Sequence, residues 1–549
     1  MGKIAIDRAL RENCMNAADL NTENLKKILH DNADTEFGVR HSFLEIKSEY
    51  EYRKCLPIME YTDFEPYIKE MMQGGRNKLT AYPIVSYCKT SGTLGEPKYI
   101  PVSSVALERY SNYFERYKND VFHQHGGKRF LVNAFRTDLS RQIEPVSLFS
   151  EIYFRFLYEK GWMKMEEFTG GTNTIFTCGE EDADIFYAKL WLSFAQKDIT
   201  MLESQFLYEL LCFFGYMEEN WQEVLHDMRK HIIPPEIVLS PKVREELLKT
   251  EISEERLAEV EKECQKGFDN IAGRLWKKLC QASGVGNRAY HTEMAALDRY
   301  LGNIPRYYLC YCASECYIGA PLYENEFGYV LIPQNAFFEF LPFDTENSRE
   351  EKTYLPSELE RGKLYEPVIT NFSGLYRYRM GDVIKVTGFF GESPVMEFMF
   401  RKNQAINIAG EKIDARQLED AVYSLRKYGI LVKQYCVGVS MEKIPGKYFV
   451  AMSLEKGNGI ADREKTAALF DEALAKRNPD YADLRKLKQL GAPEVIFFEG
   501  RHYTKFLEAQ GMSKSHGHNK PKHIFPKEIL EEEWKKQIIY QGQNIINQD

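Results

Sequence analysis

Apolar positions recur at helical spacing through the first part of the chain. They predict helices over 21–29, 43–54 and 64–73, the last capped by Thr62 or Asp63, and another over 103–123. Between 128 and 200, short β-branched and aromatic runs at 130–132 and 174–176 read as strands beside a helix over 183–194. From 201 to 281 the helical period dominates. Leu207, Leu210, Leu211 and Phe214 mark one face, and Trp221, Val224 and Met228 another. The charge-dense stretch 243–266 keeps a single apolar stripe at Leu247, Leu248, Leu257 and Val260, the pattern of a solvated helical pair.

After Gly284 the pattern turns to strands, at 306–312, 327–333, 339–341, 383–386 and 395–401. Past 403 helix and strand alternate: helix 415–426, strands 431–439 and 448–454, helix 462–477, strand 494–498, helix 503–510, then a basic tail segment. No repeat or low-complexity linker interrupts the chain. The expected class is α/β. A large multi-layer N-terminal domain, residues 1–400, has sheets flanked by helices, and a small C-terminal α/β domain covers 401–549.

Composition narrows the function. A length of 549 residues allows several domains, and 44% hydrophobic with 28% charged residues is ordinary for a soluble globular protein. The formal net charge of −9 argues against nonspecific nucleic-acid binding. The 11 cysteines include no CxxC pair, which fits reduced thiols and a cytoplasmic location. Cys310, Cys312 and Cys316 cluster without a fourth ligand at metal spacing and read as buried thiols. The amino terminus lacks an apolar signal core, and Ile6 stands where myristoylation after Gly2 needs Ser or Thr. The most apolar run, 206–217, contains Glu209 and is too short to cross a bilayer, so a buried helix is expected and no membrane partner.

Candidate chemistry sits in five stretches. The loop within 87–102 gathers Thr90, Ser91, Gly92 and Thr93, followed by Gly95 and Lys98. Hydroxyls and freely turning glycines let backbone N–H groups converge on an anion, and Lys98 adds positive charge, a set suited to a polyphosphate. A Walker A loop is excluded because Gly95 is followed by Glu96. The second stretch is Tyr311-Cys312-Ala313-Ser314-Glu315, at the end of an apolar strand. Tyr311 can stack on a purine, Ser314 can donate to phosphate, and Glu315 can hold Mg²⁺. The third, 374–383, ends in Gly381-Asp382, where a tight turn presents two acceptor oxygens fit for ribose hydroxyls. The fourth runs Arg401-Lys402-Asn403, then Ile406, Gly410, Lys412 and Ile413, and the fifth is the basic segment 511–522. Taken singly, each stretch also reads as a surface turn, a linker or a solvated loop.

Together, and in this order, the five resemble the motifs of acyl-adenylating enzymes, most closely the auxin-responsive (Gretchen Hagen-type) acyl-acid amido synthetases. The stretches 56–61, 219–228 and 264–279 add to that resemblance, which spans nearly the whole chain. It implies an ATP-dependent ligase that adenylates a carboxylic acid, releases pyrophosphate, and passes the acyl group to an amine, expected to be an amino acid. ATP and Mg²⁺ would be the cofactors, with small-molecule partners and no obligate protein partner. Lys98 and Lys520 would be catalytic. Thr90, Ser91, Gly92, Thr93, Tyr311, Ser314, Asp382 and Arg401 would bind nucleotide, Glu315 the metal, and Asn403 would be the pivot of a hinge at 401–403 that lets the small domain rotate. Lys514 and Lys522 remain alternatives to Lys520, because the tail is one residue short of the family pattern. Two rival functions stay open: a ligase forming a thioester with coenzyme A or a carrier protein, and an ATP-binding regulator without turnover.

Overall fold

A computed structural model supplies the fold. It describes residues 6, 8–90, 98–111, 128–132, 143–147, 149–162, 184–286, 291–343, 352–401, 407–411, 413, 415–441, 443–454 and 462–497. The strands open with β1 (Ile84–Thr90), β2 (Lys98–Ser103), β3 (Lys128–Leu131) and β4 (Val146–Ser147). Then come β5 (Ile199–Phe206), β6 (Gln281–Val285), β7 (Arg306–Tyr308), β8 (Tyr311–Ala313) and β9 (Cys316–Pro321). Next are β10 (Tyr329–Leu331), β11 (Ala336–Pro342), β12 (Leu364–Asn371), β13 (Tyr378–Arg379), β14 (Asp382–Phe390) and β15 (Ser393–Arg401). After β15 the chain passes from one compact unit to another, between Lys402 and Asn403.

In the first unit β3, β5, β6 and β7 form a parallel sheet. β1 and β2 make an antiparallel hairpin, with β4 parallel to β1. Strands β8 to β12, β14 and β15 form one antiparallel sheet, and β13 pairs with β12. Helix α1 (Ala17–Asp31) buries Leu25, Ile28 and Leu29. The amide of its Asn21 donates to the Phe338 carbonyl at 3.1 Å and accepts from the Phe338 N–H at 2.7 Å, so a side chain satisfies strand backbone that would otherwise stay unpaired. Helix α2 (Tyr61–Met72) begins earlier than expected. Asp63 is not its cap; it lies inside the first turn and accepts from the Glu60 N–H at 2.8 Å.

Other expectations change for identifiable reasons. The helix expected over 43–54 is a short 3₁₀ turn, Phe43–Glu45, then a helix, Glu49–Cys55, because the Ser48 hydroxyl accepts from the Glu51 N–H and starts it afresh. The stretch 201–281 is not helical throughout: β5 precedes α3 (Leu207–Lys230), and β6 begins at Gln281. Residues 199–204 are all buried, so β5 lacks the alternation that marks a half-exposed strand. The strand expected over 306–312 is two strands in different sheets, and a helix, His291–Leu301, precedes them. The run 174–176, the helix 503–510 and the far end of the helix over 103–123 lie outside the described residues.

Burial gives α3 a pH signature. The Glu209 carboxyl is buried and pushed up to about 7 by desolvation, against the opposing hydrogen bond from the Phe206 N–H at 3.2 Å. The folded state therefore holds this proton more tightly than the unfolded chain. The associated stability is complete below about pH 4.5, the ordinary carboxyl value, and is lost as pH rises through about 7. Glu209→Gln should flatten this part of the stability profile, gaining ~3 kcal/mol over the parent at pH 8 relative to pH 5. Unfolding midpoints across pH 5–8 check this, and parallel profiles for the two proteins would contradict it.

The second unit has a three-stranded sheet: β16 (Val432–Ser440) antiparallel to β17 (Lys447–Leu454), and β18 (Glu494–Phe497) parallel to β17. Helices Ala415–Ser424, Arg463–Ala475 and Pro479–Lys486 accompany it, the last not anticipated from the sequence. Glu411 anchors the turn before the first of these. Its carboxylate accepts from the Ile408 and Ala409 N–H groups at 2.8 Å each and from the Tyr448 hydroxyl. Among the described residues no helix is long and apolar enough to cross a membrane.

Candidate active site

The described residues of three of the five stretches meet in the first unit. The β1–β2 hairpin ends its ladder at Thr90 opposite Lys98, so the proposed anion loop is the connection between two paired strands. Ser91, Gly92 and Thr93 within it lie outside the described residues. The Lys98 ammonium stands 5.5 Å from the centroid of the Tyr61 ring at the start of α2, a cation–π contact. The Tyr61 hydroxyl in turn accepts from the Tyr99 N–H at 2.9 Å and ties β2 to the helix.

Next to β1 lies the turn between β8 and β9, which holds Ser314 and Glu315. The Cys88 thiol of β1 donates to the Ser314 hydroxyl oxygen at 3.2 Å. The expectation that Tyr311–Glu315 closes a single apolar strand, where ligands of an α/β sheet bind, needs correction. That parallel strand ends at Tyr308, the chain crosses at 309–310 to the antiparallel sheet, and Glu315 occupies a hairpin turn there. The Glu315 side chain is not solvent-facing; the residue is 4% exposed. Its carboxylate accepts from the Tyr378 hydroxyl at 3.2 Å, and its carbonyl accepts from the Asn371 amide at 2.7 Å.

The stretch 374–383 is the frame of the site. Tyr376 stacks on Phe37 with ring centroids 4.7 Å apart and donates to the Leu79 carbonyl at 2.6 Å. Arg377 is buried in the left-handed region, φ +46°, a conformation that only strong partners sustain in a residue with a Cβ. Two guanidinium bonds to Glu339, at 3.1 and 2.9 Å, and one to the Arg53 carbonyl at 2.9 Å supply them. Arg379 makes a matching fork to Glu366, which also accepts from the Gly381 N–H at 2.9 Å. Gly381 has φ +79°, as a tight turn here requires. Asp382 follows, 4% exposed, with the Tyr311 hydroxyl donating to it at 2.9 Å. Across the ladder its Cα partner is Arg401.

Tyr311, Ser314, Glu315 and Asp382 thus share one hydrogen-bonded neighbourhood next to β1, and the backbone of Arg401 lies opposite Asp382. Asn403 and Lys520, like Lys514 and Lys522, lie outside the described residues. Residues given no role from the sequence hold the site together: Asn371, Tyr378, Glu339 and Glu366. The usable signal for the last two was a carboxylate within an apolar strand, as in Phe338-Glu339-Phe340, where burial demands a partner. The hydrogen bond to Cys310, then burial, pushes the Cys312 thiol well up, and burial does the same for Cys316.

Comparison with known proteins agrees in extent and order. Family models describing the GH3 family N-terminal, central and C-terminal domains match residues 7–305, 329–401 and 416–529. A jasmonoyl–L-amino acid synthetase, GH3.5 of Oryza sativa subsp. japonica, is 27% identical over 523 residues, covering 90% of this chain and 89% of its own. An indole-3-acetic acid-amido synthetase, GH3.8 of Oryza sativa subsp. indica, is 29% identical over 465 residues, covering 79% and 75%. Among solved structures, the AtGH3.15 acyl acid amido synthetase in complex with 2,4-DB matches with a TM-score of 0.63 at 21% identity, over 95% of this chain and 94% of that one. A 2-hydroxyisobutyryl-CoA ligase matches at a TM-score of 0.50 and 11% identity, over 96% and 92%. These structural likenesses show that the chain shares the fold of those two proteins. With the three domain matches following one another along the chain, the protein belongs to the GH3 family.

Proposed function

We propose that this protein is an ATP-dependent acyl-acid amido synthetase. A carboxylate attacks the α-phosphate of ATP to give an acyl adenylate and pyrophosphate. An amine, on this reading that of an amino acid, then attacks the acyl carbon to give an amide, AMP and a proton. The observation that carries the proposal is the meeting of Ser314, Glu315, Tyr311 and Asp382 beside the β1–β2 hairpin, each motif bonded to the next. The names of the relatives and the order of the domain matches support the same chemistry.

The first step brings two anions together, so positive charge and donors must be gathered at phosphorus. In this proposal the 91–93 backbone and hydroxyls and Lys98 would bind the phosphates, Asp382 would accept from the ribose hydroxyls, and Arg401 would bind the nucleotide. Loss of one preorganised donor of this kind costs about 10²–10³ in rate. Glu315 fits a magnesium ion: a buried oxygen donor held by a tyrosine hydroxyl, of the hard type Mg²⁺ takes when substrate phosphates supply further ligands. When bound, Mg²⁺ would neutralise charge on the phosphates. Lys520, carried by the second domain, would stabilise the adenylation transition state, with Asn403 as the pivot that brings it in and out. A cytoplasmic location belongs to the same proposal, and the described cysteines are all free thiols.

Incubating the protein with ATP, Mg²⁺, an acid panel and either amino acids or coenzyme A, then weighing the products, tests the acceptor. An acyl–amino acid is expected. A coenzyme A thioester formed in its place would overturn the amide assignment.

A further inference from the structure

The two motifs that bear the site carboxylates are built alike and bonded crosswise. In each, a tyrosine stands four residues before the acid: Tyr311 before Glu315, and Tyr378 before Asp382. The hydrogen bonds cross between the motifs. Tyr311 donates to Asp382 at 2.9 Å, and Tyr378 donates to Glu315 at 3.2 Å. Tyr378 is 1% exposed and Tyr311 6%, so both bonds form away from bulk water. In such surroundings a hydrogen bond to a charged acceptor is stronger and its direction matters more. The ends of the cross are fixed independently. Met59 pairs with Tyr378, its N–H donating to the Arg377 carbonyl at 2.9 Å, and Asn371 clamps the Glu315 carbonyl. The Glu366 fork on Arg379 and the Gly381 N–H sets the turn before Asp382.

We infer that Tyr311 and Tyr378 are paired positioning residues forming a reciprocal latch, in which each motif's tyrosine aims the other motif's carboxylate at its ligand. Tyr378 directs Glu315 toward a divalent cation, and Tyr311 directs Asp382 toward ribose hydroxyls. The ligands follow from the nucleotide-binding role proposed above; the latch itself rests on the two crossed hydrogen bonds. One consequence is selectivity. Removing the Tyr378 hydroxyl should weaken metal-dependent binding, and removing the Tyr311 hydroxyl should weaken hydroxyl-dependent binding, with little crossing over.

The test uses full-length protein, Tyr378→Phe and Tyr311→Phe. Calorimetry measures affinity for MnATP, for ATP in chelator, and for MnATP analogues lacking both ribose hydroxyls. Tyr378→Phe should shrink the preference for MnATP over free ATP about 10-fold and leave the ribose preference unchanged. Tyr311→Phe should shrink the ribose preference by a similar factor and spare the metal preference. Equal loss for every ligand in either variant would mean a merely structural role and overturn the latch. A nucleotide-free arm separates the latch from the proposed function. Tyr378→Phe should lower the unfolding midpoint by ~2–4 °C more in wild type than in a Glu315→Ala background. Coupling in that cycle supports the latch even if wild type binds no nucleotide, which would sink only the functional reading. Equal shifts in both backgrounds, or insolubility of both tyrosine variants, would overturn the latch.

Discussion

Glu339→Ala is expected to cost the first unit about 3–5 kcal/mol, seen as a lower denaturant midpoint, because it strands a buried guanidinium. Glu339 is 0% and Arg377 3% exposed in side-chain terms. The carboxylate also accepts from the Thr353 hydroxyl at 2.5 Å, so one truncation leaves two donors unsatisfied. Arg377 holds the left-handed turn between Tyr376 and Tyr378, and through the Leu56 and Arg53 carbonyls it fastens the 53–59 segment. The loss should therefore spread to the site frame and lower nucleotide affinity as well as stability. A loss below about 0.5 kcal/mol, the range of an ordinary surface substitution, would show that this pair does not hold the frame.

Asp382→Ala should weaken AMP binding about 10²-fold by calorimetry, since a carboxylate accepting from two hydroxyls contributes more than a neutral acceptor. Asp382→Asn keeps an acceptor for the Tyr311 hydroxyl and separates charge from shape. Its loss should fall between those of alanine and wild type. Unchanged affinity in the alanine variant would remove Asp382 from the nucleotide site. The two substitutions differ in kind: Glu339 acts on the fold and through it on binding, whereas Asp382, in the proposed role, would act at the ligand and should leave most of the stability intact.

What the sequence made legible was the set of residues with unusual chemistry. Gly381-Asp382 and Ser314-Glu315 read singly as ordinary turns and stood out only through the order of the motifs and their resemblance to adenylating enzymes; the structure brings both into one neighbourhood. The supporting residues were harder to read because their role depends on partners far away along the chain. Nothing near Tyr378 reveals that its hydroxyl meets Glu315, 63 residues earlier, nor does the 365–367 run show that Glu366 will fork onto Arg379. Strand β5 escaped for a different reason. A strand buried on both faces carries no alternation, and the apolar start of α3 follows it without a break. The 306–312 run was continuous in hydrophobicity yet split between two sheets, since periodicity records burial and not which sheet accepts the strand.

Together, on the proposed function, these segments let a carboxylate reach the α-phosphate of ATP. Acid-dependent exchange of labelled pyrophosphate into ATP, run with a panel of carboxylic acids and no amine, tests it most directly. Exchange should appear only with an accepted acid and be lost in Asp382→Ala. Tight AMP binding with no exchange for any acid in the panel would contradict it and leave a nucleotide-binding protein without turnover.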